Sequence, residues 1–262
     1  WSCCSSMSSA VAMDRTDLTG EPVVNDVILI TGASSGIGAE TARRASAAGY
    51  RVALAARSTG KLSELVDDLG GPDRALALSC DVQSHEEQQA MVDAVVAHFG
   101  RLDAVFANAG RGGSPGGFSA ADPADWKDMI LTNIYGAALT LQCCIPHLRE
   151  SRGHLLLTGS VAGRVTITGS MYSATKWAVS AIGYGVREEL RGTGIRVTLI
   201  EPGVVDTPFF DEQPEAALQP ADIANAVLYA LAQPPHVDVN EILVRPTPPI
   251  PGVAPGGPGS GE

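Results

Sequence analysis

Cationic residues are scarce in this chain. Its 262 residues include 18 Lys and Arg against 29 Asp and Glu, which gives a formal net charge of −11 and a sequence pI of about 4.8. Most of the surface therefore repels polyanions, which disfavours nucleic acid, anionic membranes and acidic carrier proteins as partners. A local basic patch remains compatible with this bulk charge.

Metal-ligand patterns are also missing. Neither the five cysteines nor the five histidines stand at a spacing, with each other or with carboxylates, that is typical of a metal site, so we expect no bound metal. The odd number of cysteines and the lack of a disulfide pattern favour a reducing, cytoplasmic setting. The cysteines are Cys3, Cys4, Cys80, Cys143 and Cys144.

Long hydrophobic runs are absent as well. No uninterrupted apolar run approaches the roughly 20 residues needed to span a bilayer, and the serine-rich start lacks the basic stretch and apolar run of a secretion signal. The end of the chain is rich in Pro and Gly, which is typical of a solvated tail. We predict a flexible tail over 1–22, one folded domain over 23–245 and a second tail over 246–262.

Within the predicted domain, short apolar segments alternate with longer helix-like ones, which is typical of an α/β protein. Val27–Thr31 is an uninterrupted apolar run, as expected for a strand covered on both faces. We predict a single-domain, doubly wound (Rossmann-like), seven-stranded parallel sheet with helices on both faces. The predicted strands are Val27 to Thr31, Arg51 to Ala56, Ala75 to Ser79, Leu102 to Ala107, His154 to Thr158, Ile195 to Ile200 and Glu241 to Val244. The predicted helices are Gly36 to Ala48, Lys61 to Leu69, His85 to Phe99, Asp125 to Leu148, Tyr172 to Arg191 and Pro220 to Ala232.

A glycine-rich turn follows the first strand and leads into the first helix. Glycines allow the chain to turn tightly and to approach a pyrophosphate, and the helix N-terminus supplies free amide donors with a partial positive charge. The glycine spacing differs from the commonest dinucleotide fingerprint, but the position between strand and helix fits a nucleotide site. An ordinary glycine-rich turn is the alternative. The residues of the turn are Gly32, Ala33, Ser34, Ser35, Gly36, Ile37 and Gly38.

The end of the second strand bears on the choice of nucleotide. An acidic residue there usually binds the ribose 2′-hydroxyl of NAD, but this chain has Ala56-Arg57-Ser58. A guanidinium can pair bidentately with a 2′-phosphate, so Arg57 favours NADP(H) over NAD(H). The alternative is that Arg57 is a solvated residue at a strand end.

Two further candidate cofactor contacts lie at strand ends. Asp81-Val82 follows the third strand, where a carboxylate can accept a hydrogen bond from an adenine amino group. Asn108-Ala109-Gly110 follows the fourth strand, where small residues permit close approach of a cofactor. Both segments are equally compatible with ordinary turns.

Tyr172 and Lys176 lie four residues apart, so a helix places them on one face. A phenol ionises near pH 10 in water and needs about 4 kcal/mol of stabilisation to ionise near pH 7. A cation about 5 Å away, at an effective dielectric of about 20, supplies roughly 3 kcal/mol. We therefore expect Lys176 to be the main, but not the only, cause of a lowered Tyr172 pKa. Taken alone, this pair also arises by chance in many helices.

Together these residues resemble the short-chain dehydrogenase/reductase family in its compact, single-domain form. The resemblance covers about Val27 to Arg245, and the motifs occur in the order typical of that family. They are Thr31-Gly32-Ala33-Ser34-Ser35-Gly36-Ile37-Gly38, Asp81, Asn108-Ala109-Gly110, Asn133, Ser160, Tyr172-x-x-x-Lys176 and Pro202-Gly203.

The resemblance implies a catalytic set of Asn133, Ser160, Tyr172 and Lys176. Tyr172 would exchange a proton with the substrate oxygen while hydride moves to or from the nicotinamide, and Ser160 would hold the same oxygen. Lys176 would bind the nicotinamide ribose and tune the phenol. Asn133 would position a water that links Lys176 to solvent.

The segment Pro202-Gly203-Val204-Val205-Asp206-Thr207 resembles the part of such enzymes that closes on the nicotinamide amide and the phosphates, with Pro202, Gly203, Val205 and Thr207 as contacts. One departure concerns the catalytic pair. Ser160 and Tyr172 are 12 positions apart, one fewer than in many relatives. We expect a tightened loop with altered substrate contacts and unaltered chemistry.

The substrate is predicted only by class. Phe209 and Phe210 begin a short interval before the helix at Pro220, which fits a small apolar lid over a small or medium carbonyl compound or secondary alcohol. Arg111 and Arg164 are either contacts for an anionic substrate group or solvated loop arginines.

We therefore predict an NADP(H)-dependent oxidoreductase that acts on the CH–OH group of donors. The alternatives are a reductase of 3-oxoacyl thioesters or polyketide-like ketones, and a non-catalytic NADP(H)-sensing protein. The resemblance further implies a homotetramer or homodimer, with the helices that begin at Asp125 and Tyr172 packed between subunits.

Overall fold

The central feature of the fold is one parallel sheet. The computed structural model describes residues 26–113, 115–209, 214 and 216–247. The seven strands lie in the order β3-β2-β1-β4-β5-β6-β7, so the chain reverses its direction of travel across the sheet between β1 and β4. They are β1 Val27–Thr31, β2 Arg51–Ala56, β3 Ala75–Ser79, β4 Ala104–Ala107, β5 His154–Thr158, β6 Arg196–Pro202 and β7 Glu241–Val244.

Helices cover both faces of this sheet, which confirms the predicted doubly wound fold. Along β1, Val27 and Leu29 belong to one hydrophobic cluster with residues of α3, α6 and α7, while Ile28 and Ile30 belong to a second cluster with residues of α1, α2 and α8. Because both faces are buried, the strand is apolar throughout. The helices are α1 Gly36–Ala47, α2 Thr59–Asp68, α3 His85–Phe99, α4 Gly117–Ala120, α5 Pro123–Ile130, α6 Ala137–Ser151, α7 Met171–Glu189 and α8 Pro220–Leu231.

One predicted helix is wrong in its interior. The helix expected over Asp125 to Leu148 consists of α5, a π-helical turn over Leu131–Gly136, and α6. Within that wider turn Asn133 is 2% exposed and bonded to the loop after β4. Inserted π-turns occur often at functional sites, and this one depends on tertiary contacts that a helical periodicity does not report. The short helix α4 was not predicted at all.

The stretch Pro123–Ser151 is also the one described region that is long and apolar enough to cross a membrane by length and composition. Its most apolar 18-residue window has a mean hydropathy of 1.3, and half of that window is buried inside the protein. Leu141, Cys144 and Leu148 of α6 belong to the hydrophobic cluster that contains Val27 and Leu29 of β1. Packing within the domain therefore accounts for much of this apolar character.

The carboxyl ends of the parallel strands meet at one edge of the sheet, where hydrogen bonds join the ends of β1 and β5 to the loop that follows β4. Thr31 Oγ1 accepts from the backbone amides of Asn108 and Ala109 at 3.0 and 3.1 Å. Asn108 also donates from its side chain to the Thr31 carbonyl and accepts from Thr158 Oγ1 at 3.1 Å. These bonds fix the floor of a cleft at the point where the strand order reverses.

The predicted division into tails and domain stays a prediction. Residues 1–25 and 248–262 lie outside the described part of the chain, so the first tail and nearly all of the second are not described.

Candidate active site

A cleft of about 920 Å³ opens at the carboxyl edge of the sheet, a size within the range of small-molecule and cofactor sites. It brings together nearly all of the predicted site residues, whereas Gly38 and Asn133 do not line it. The predicted residues that line it are Gly32, Ser34, Ser35, Gly36, Ile37, Arg57, Ser58, Asp81, Val82, Asn108, Ala109, Gly110, Ser160, Tyr172, Lys176, Pro202, Gly203, Val205 and Thr207.

The glycine turn is shaped as the nucleotide interpretation requires. Gly32 and Gly36 have φ of 67° and 53°, a conformation that other residues adopt at a cost. A Cβ at Gly38 would stand 2.3 Å from the Gly32 carbonyl oxygen, so a side chain there would push the turn open. This explains why Gly38 matters although it does not line the cleft.

The N-terminus of α1 fits an anionic group. The helix begins at Gly36, and Ser35 at its N-cap makes no side-chain hydrogen bond to the first-turn amides. A Cβ at Gly36 would meet Thr207 Cγ2 at 3.0 Å, so the segment from Pro202 to Thr207 lies directly against this turn. Free amide donors and close backbone approach are what a pyrophosphate needs.

The contacts predicted for the adenosine half occupy the far side of the cleft. Arg57 and Ser58 are exposed, and β2 ends at Ala56 without a carboxylate. Asp81 lines the cleft, but its Oδ1 also accepts the amide of Gln83 at 3.0 Å. The structure thus gives Asp81 the turn-forming role that the sequence left open, in addition to its place in the cleft.

The predicted catalytic pair lines one cleft despite its short spacing. Ser160 and Tyr172 both line the cleft, and hydrogen bonding from Ser160 acts to lower the Tyr172 pKa. Ser160 Oγ accepts from the Ala162 amide at 3.1 Å, because the chain folds into a 3₁₀ turn over Val161–Gly163. Ser170 then caps α7 by accepting from the Ser173 amide at 3.0 Å. The shorter loop therefore does not separate the two hydroxyl groups.

Lys176 lies beneath the tyrosine. Its side chain is 4% exposed, its Nζ donates to the Thr158 carbonyl at 2.8 Å, and that Nζ lies 5.7 Å from the centroid of the Tyr172 ring. Burial lowers the pKa of Lys176 to about 8, since desolvation disfavours the charged amine.

The predicted lowering of the Tyr172 pKa is wrong. Burial raises the pKa of Tyr172 above its ordinary value, and hydrogen bonding from Ser160 opposes that rise only in part. Burial therefore outweighs the influences that favour the ionised phenol. The phenol is therefore protonated at neutral pH.

Asn133 occupies a supporting position outside the cleft. Its amide group accepts from the Arg111 backbone amide at 2.9 Å and donates to the Arg111 carbonyl and to Thr175 Oγ1, both at 3.0 Å. Sequence reasoning missed Thr158 and Thr175, because no local pattern distinguishes them from other threonines. The water expected beside Asn133 stays a prediction.

Apolar side chains line the cleft together with Tyr172. The ring of Phe209 packs edge-on against the ring of Tyr172, with centroids 5.6 Å apart, as expected of a lid residue. Phe210 lies outside the described residues. Other apolar side chains that line the cleft include Trp126, Met129, Val161, Ile167 and Pro208.

Neither candidate arginine faces a substrate. Arg111 pairs with Asp128 and, at 3.1 Å, with Asp125. Arg164 pairs with Glu201 at 2.8 Å and with Glu241 at 2.5 Å. Both are bound to carboxylates and neither lines the cleft, so the structure does not place them where they would bind an anionic substrate group, while each side chain stays partly exposed to solvent.

Across the described ranges, no three His, Cys, Asp or Glu side chains come together in a way that would hold a metal ion. The doubly wound sheet, the glycine turn at its switch point and the Ser-Tyr-Lys group in one cleft define a dinucleotide-binding α/β protein of the oxidoreductase class.

Comparison with known proteins identifies the family. The family model for short chain dehydrogenases matches residues 26–217. The chain belongs to the short-chain dehydrogenase/reductase family, as the resemblance indicated. An uncharacterized oxidoreductase of Staphylococcus epidermidis is 38% identical over 231 residues, which are 86% of this chain and 98% of the relative.

Two solved structures are also similar. An alcohol dehydrogenase from the archaeon Thermococcus sibiricus, complexed with 5-hydroxy-NADP, is 32% identical with a TM-score of 0.79, over 87% of this chain and 99% of that one. A 3-ketoacyl-(acyl-carrier-protein) reductase from Brucella melitensis, complexed with NADH, is 27% identical with a TM-score of 0.77, over 84% of this chain and 96% of that one.

Proposed function

We propose that this protein is an NADP(H)-dependent oxidoreductase that transfers hydride between nicotinamide and a small or medium neutral carbonyl compound or secondary alcohol. The observation that carries the proposal is that Ser160, Tyr172 and the buried Lys176, whose Nζ lies 5.7 Å from the centroid of the Tyr172 ring, line the same cleft as the glycine turn. A protein that only senses the nucleotide needs no phenol held beside a buried amine in this cleft.

The nucleotide supplies the hydride, and the side chains of the protein handle the proton. Ser160 holds the substrate oxygen by a hydrogen bond, and Tyr172 donates its proton to that oxygen during reduction. The charged form of Lys176 then stabilises the phenolate that Tyr172 becomes. Asn133 holds the loop after β4 and, through Thr175, the helical turn that carries Lys176.

Arg57 supports the choice of NADP(H). It is exposed, it lines the cleft after β2, and no carboxylate ends that strand to repel a 2′-phosphate. The two solved structures differ in the nucleotide that they contain. The Thermococcus sibiricus enzyme was solved with 5-hydroxy-NADP and the Brucella melitensis enzyme with NADH. Arg57 is therefore the residue on which this part of the proposal depends.

In the part of the chain that the structure describes, no free cation lies near Tyr172, which supports a neutral substrate. Arg57, Asp81 and Lys176 are the charged side chains among the described residues that line the cleft. Arg57 and Asp81 follow β2 and β3, on the other side of β1 from Tyr172, and Lys176 is buried behind the phenol. A carboxylate on the substrate would lose its hydration there without gaining a partner.

The expected homodimer or homotetramer belongs to the same proposal, as does a cytoplasmic location. Large apolar side chains are exposed on the two long helical segments expected to pack between subunits: Ile130 at 38%, Tyr135 at 44% and Trp177 at 49%.

Analytical ultracentrifugation should show particles of at least twice the 27.1 kDa chain mass, and particles of a single chain only would contradict the proposed oligomer.

With NADPH and a panel of ketones and aldehydes, we expect turnover of neutral carbonyl compounds and much weaker turnover of 2-oxo acids with the same carbon skeleton.

Activity should depend on Tyr172. Tyr172→Phe should lower kcat at least about 100-fold, the scale of general-acid catalysis, with NADPH affinity nearly unchanged. Absorbance of the reduced nicotinamide measures the rate, and fluorescence titration measures binding.

Tyr229→Phe on the exposed face of α8 is the matched control and should behave as wild type. Turnover of Tyr172→Phe within a few-fold of wild type would remove Tyr172 from the mechanism. Activity confined to carrier-bound acyl thioesters would favour the 3-oxoacyl or polyketide-like alternative, and NADPH binding without turnover of any substrate would favour a sensing protein.

Nucleotide preference should depend on Arg57. Arg57→Asp removes the partner of the 2′-phosphate and adds a repelling charge, so kcat/KM for NADPH should fall at least about tenfold relative to NADH. Lys61→Asp, the same charge change at an exposed position of α2 outside the cleft, is the control and should leave the ratio unchanged. An unchanged ratio in Arg57→Asp would show that Arg57 does not bind the phosphate.

A further inference from the structure

A buried ion pair lies directly behind the catalytic serine. Glu201, near the end of β6, has a side chain that is 1% exposed. Arg164 donates from Nε to both of its carboxylate oxygens, at 2.8 and 2.9 Å. A carboxylate buried to this degree is stable only if it is paired, so each residue constrains the position of the other.

The two partners belong to the two segments that hold Ser160 Oγ. On one side, Arg164 ends the 3₁₀ turn whose Ala162 amide donates to that oxygen at 3.1 Å. On the other side, Glu201 immediately precedes Pro202, whose carbonyl accepts from the same oxygen at 3.4 Å. The ion pair therefore sets the distance between these two contacts of Ser160.

The same pair reaches the helix that carries Tyr172 and Lys176. Ser180 Oγ lies 3.2 Å from the Lys176 carbonyl and 3.3 Å from Glu201 Oε1. A Cβ at Gly163 would stand 2.7 Å from that carbonyl, so the turn after Ser160 packs directly on the backbone of Lys176.

The chain accommodates the buried carboxylate by its choice of residues. A Cβ at Gly159 would meet Glu201 Cγ at 2.9 Å, so glycine before Ser160 leaves room for Glu201. Arg164 further pairs with Glu241 of β7 at 2.5 Å, and its guanidinium lies 5.6 Å from the ring centroid of Tyr184. The pair is thereby joined to the edge of the sheet.

We infer that Arg164 and Glu201 are positioning residues, whose ion pair holds Ser160 in hydrogen-bonding distance of Tyr172. Arg164 does not line the cleft and so acts through Ser160. The inference rests on the proposed function, because it concerns the same Ser160 and Tyr172.

The test compares kcat, KM and thermal unfolding for a set of variants. Arg164→Met should lower kcat about tenfold to a hundredfold, the scale of a small misplacement of a reacting group, with KM for NADPH within about twofold. Arg164→Lys keeps the charge but cannot span Glu201 and Glu241 in the same way, so its kcat should lie between those of wild type and Arg164→Met.

Stability and positioning are separated by the double variant Arg164→Met/Glu201→Gln. It removes the unpaired buried charge, so its Tm should recover relative to Arg164→Met while its kcat stays low. Recovery of kcat together with Tm would overturn the inference, because the pair would then act on stability alone.

The ion pair of Arg101 and Asp103 is a matched control. It lies before β4, at the amino ends of the strands and away from the cleft. Arg101 donates to both oxygens of Asp103, which is 8% exposed, at 2.8 and 2.6 Å. Arg101→Met removes the same kind of pair far from the cleft, so it should lower Tm and leave kcat within about twofold of wild type.

A double-mutant cycle tests the route through Ser160. In a Ser160→Ala background, Arg164→Met should lower the residual kcat by less than about twofold, because the group it positions is gone. A full additional loss would contradict the inference. Absence of wild-type turnover on every substrate would instead defeat the proposed function, whereas an active wild type with an equally active Arg164→Met defeats this inference alone.

Discussion

The burial of the Lys176 amine beside the Tyr172 phenol is the constraint on which the proposed chemistry of this protein depends. Desolvation disfavours the charged form of each group, so it lowers the pKa of Lys176 to about 8 and raises the pKa of Tyr172. The phenol thus keeps its proton at neutral pH, as the proposed general acid requires. In the proposed reaction, the phenolate left behind would form next to an amine that carries its charge below about pH 8.

Contacts among loops at the carboxyl ends of the strands hold this pair in place. Hydrogen bonds that join Asn108 to the ends of β1 and β5 fix the floor of the cleft, and the ion pair of Arg164 and Glu201 holds the segments on either side of Ser160. Thr207 lies against Gly36, which joins the segment after β6 to the glycine turn. A parallel sheet brings loops that are distant in sequence to one edge, so these contacts require no special local conformation beyond the glycines.

Much of this arrangement is predictable from the sequence because its signals are local. Apolar runs such as Val27–Thr31 mark strands buried on both faces, and the positions of Gly32 and Gly36 between a strand and a helix mark the nucleotide turn. The π-turn around Asn133 is not predictable in this way, since it depends on contacts with the loop after β4. The ion pairs of Arg111 and Arg164 are equally hidden, because their partners, such as Glu201, are distant in the chain or have no distinguishing pattern. The direction of the Tyr172 pKa shift was missed because burial, which the sequence does not report, outweighs a neighbouring charge.

The most direct test of this account is the titration of Lys176 itself. The chain contains three lysines, so NMR of side-chain-labelled lysine gives three signals, and Lys176→Met assigns one of them. Lys61 and Lys127 are exposed and serve as references in the same sample. The account predicts that Lys176 loses its proton near pH 8. Titration of Lys176 near pH 10.4, the ordinary value for a lysine in water, would contradict it, because the amine would then not be buried behind the phenol.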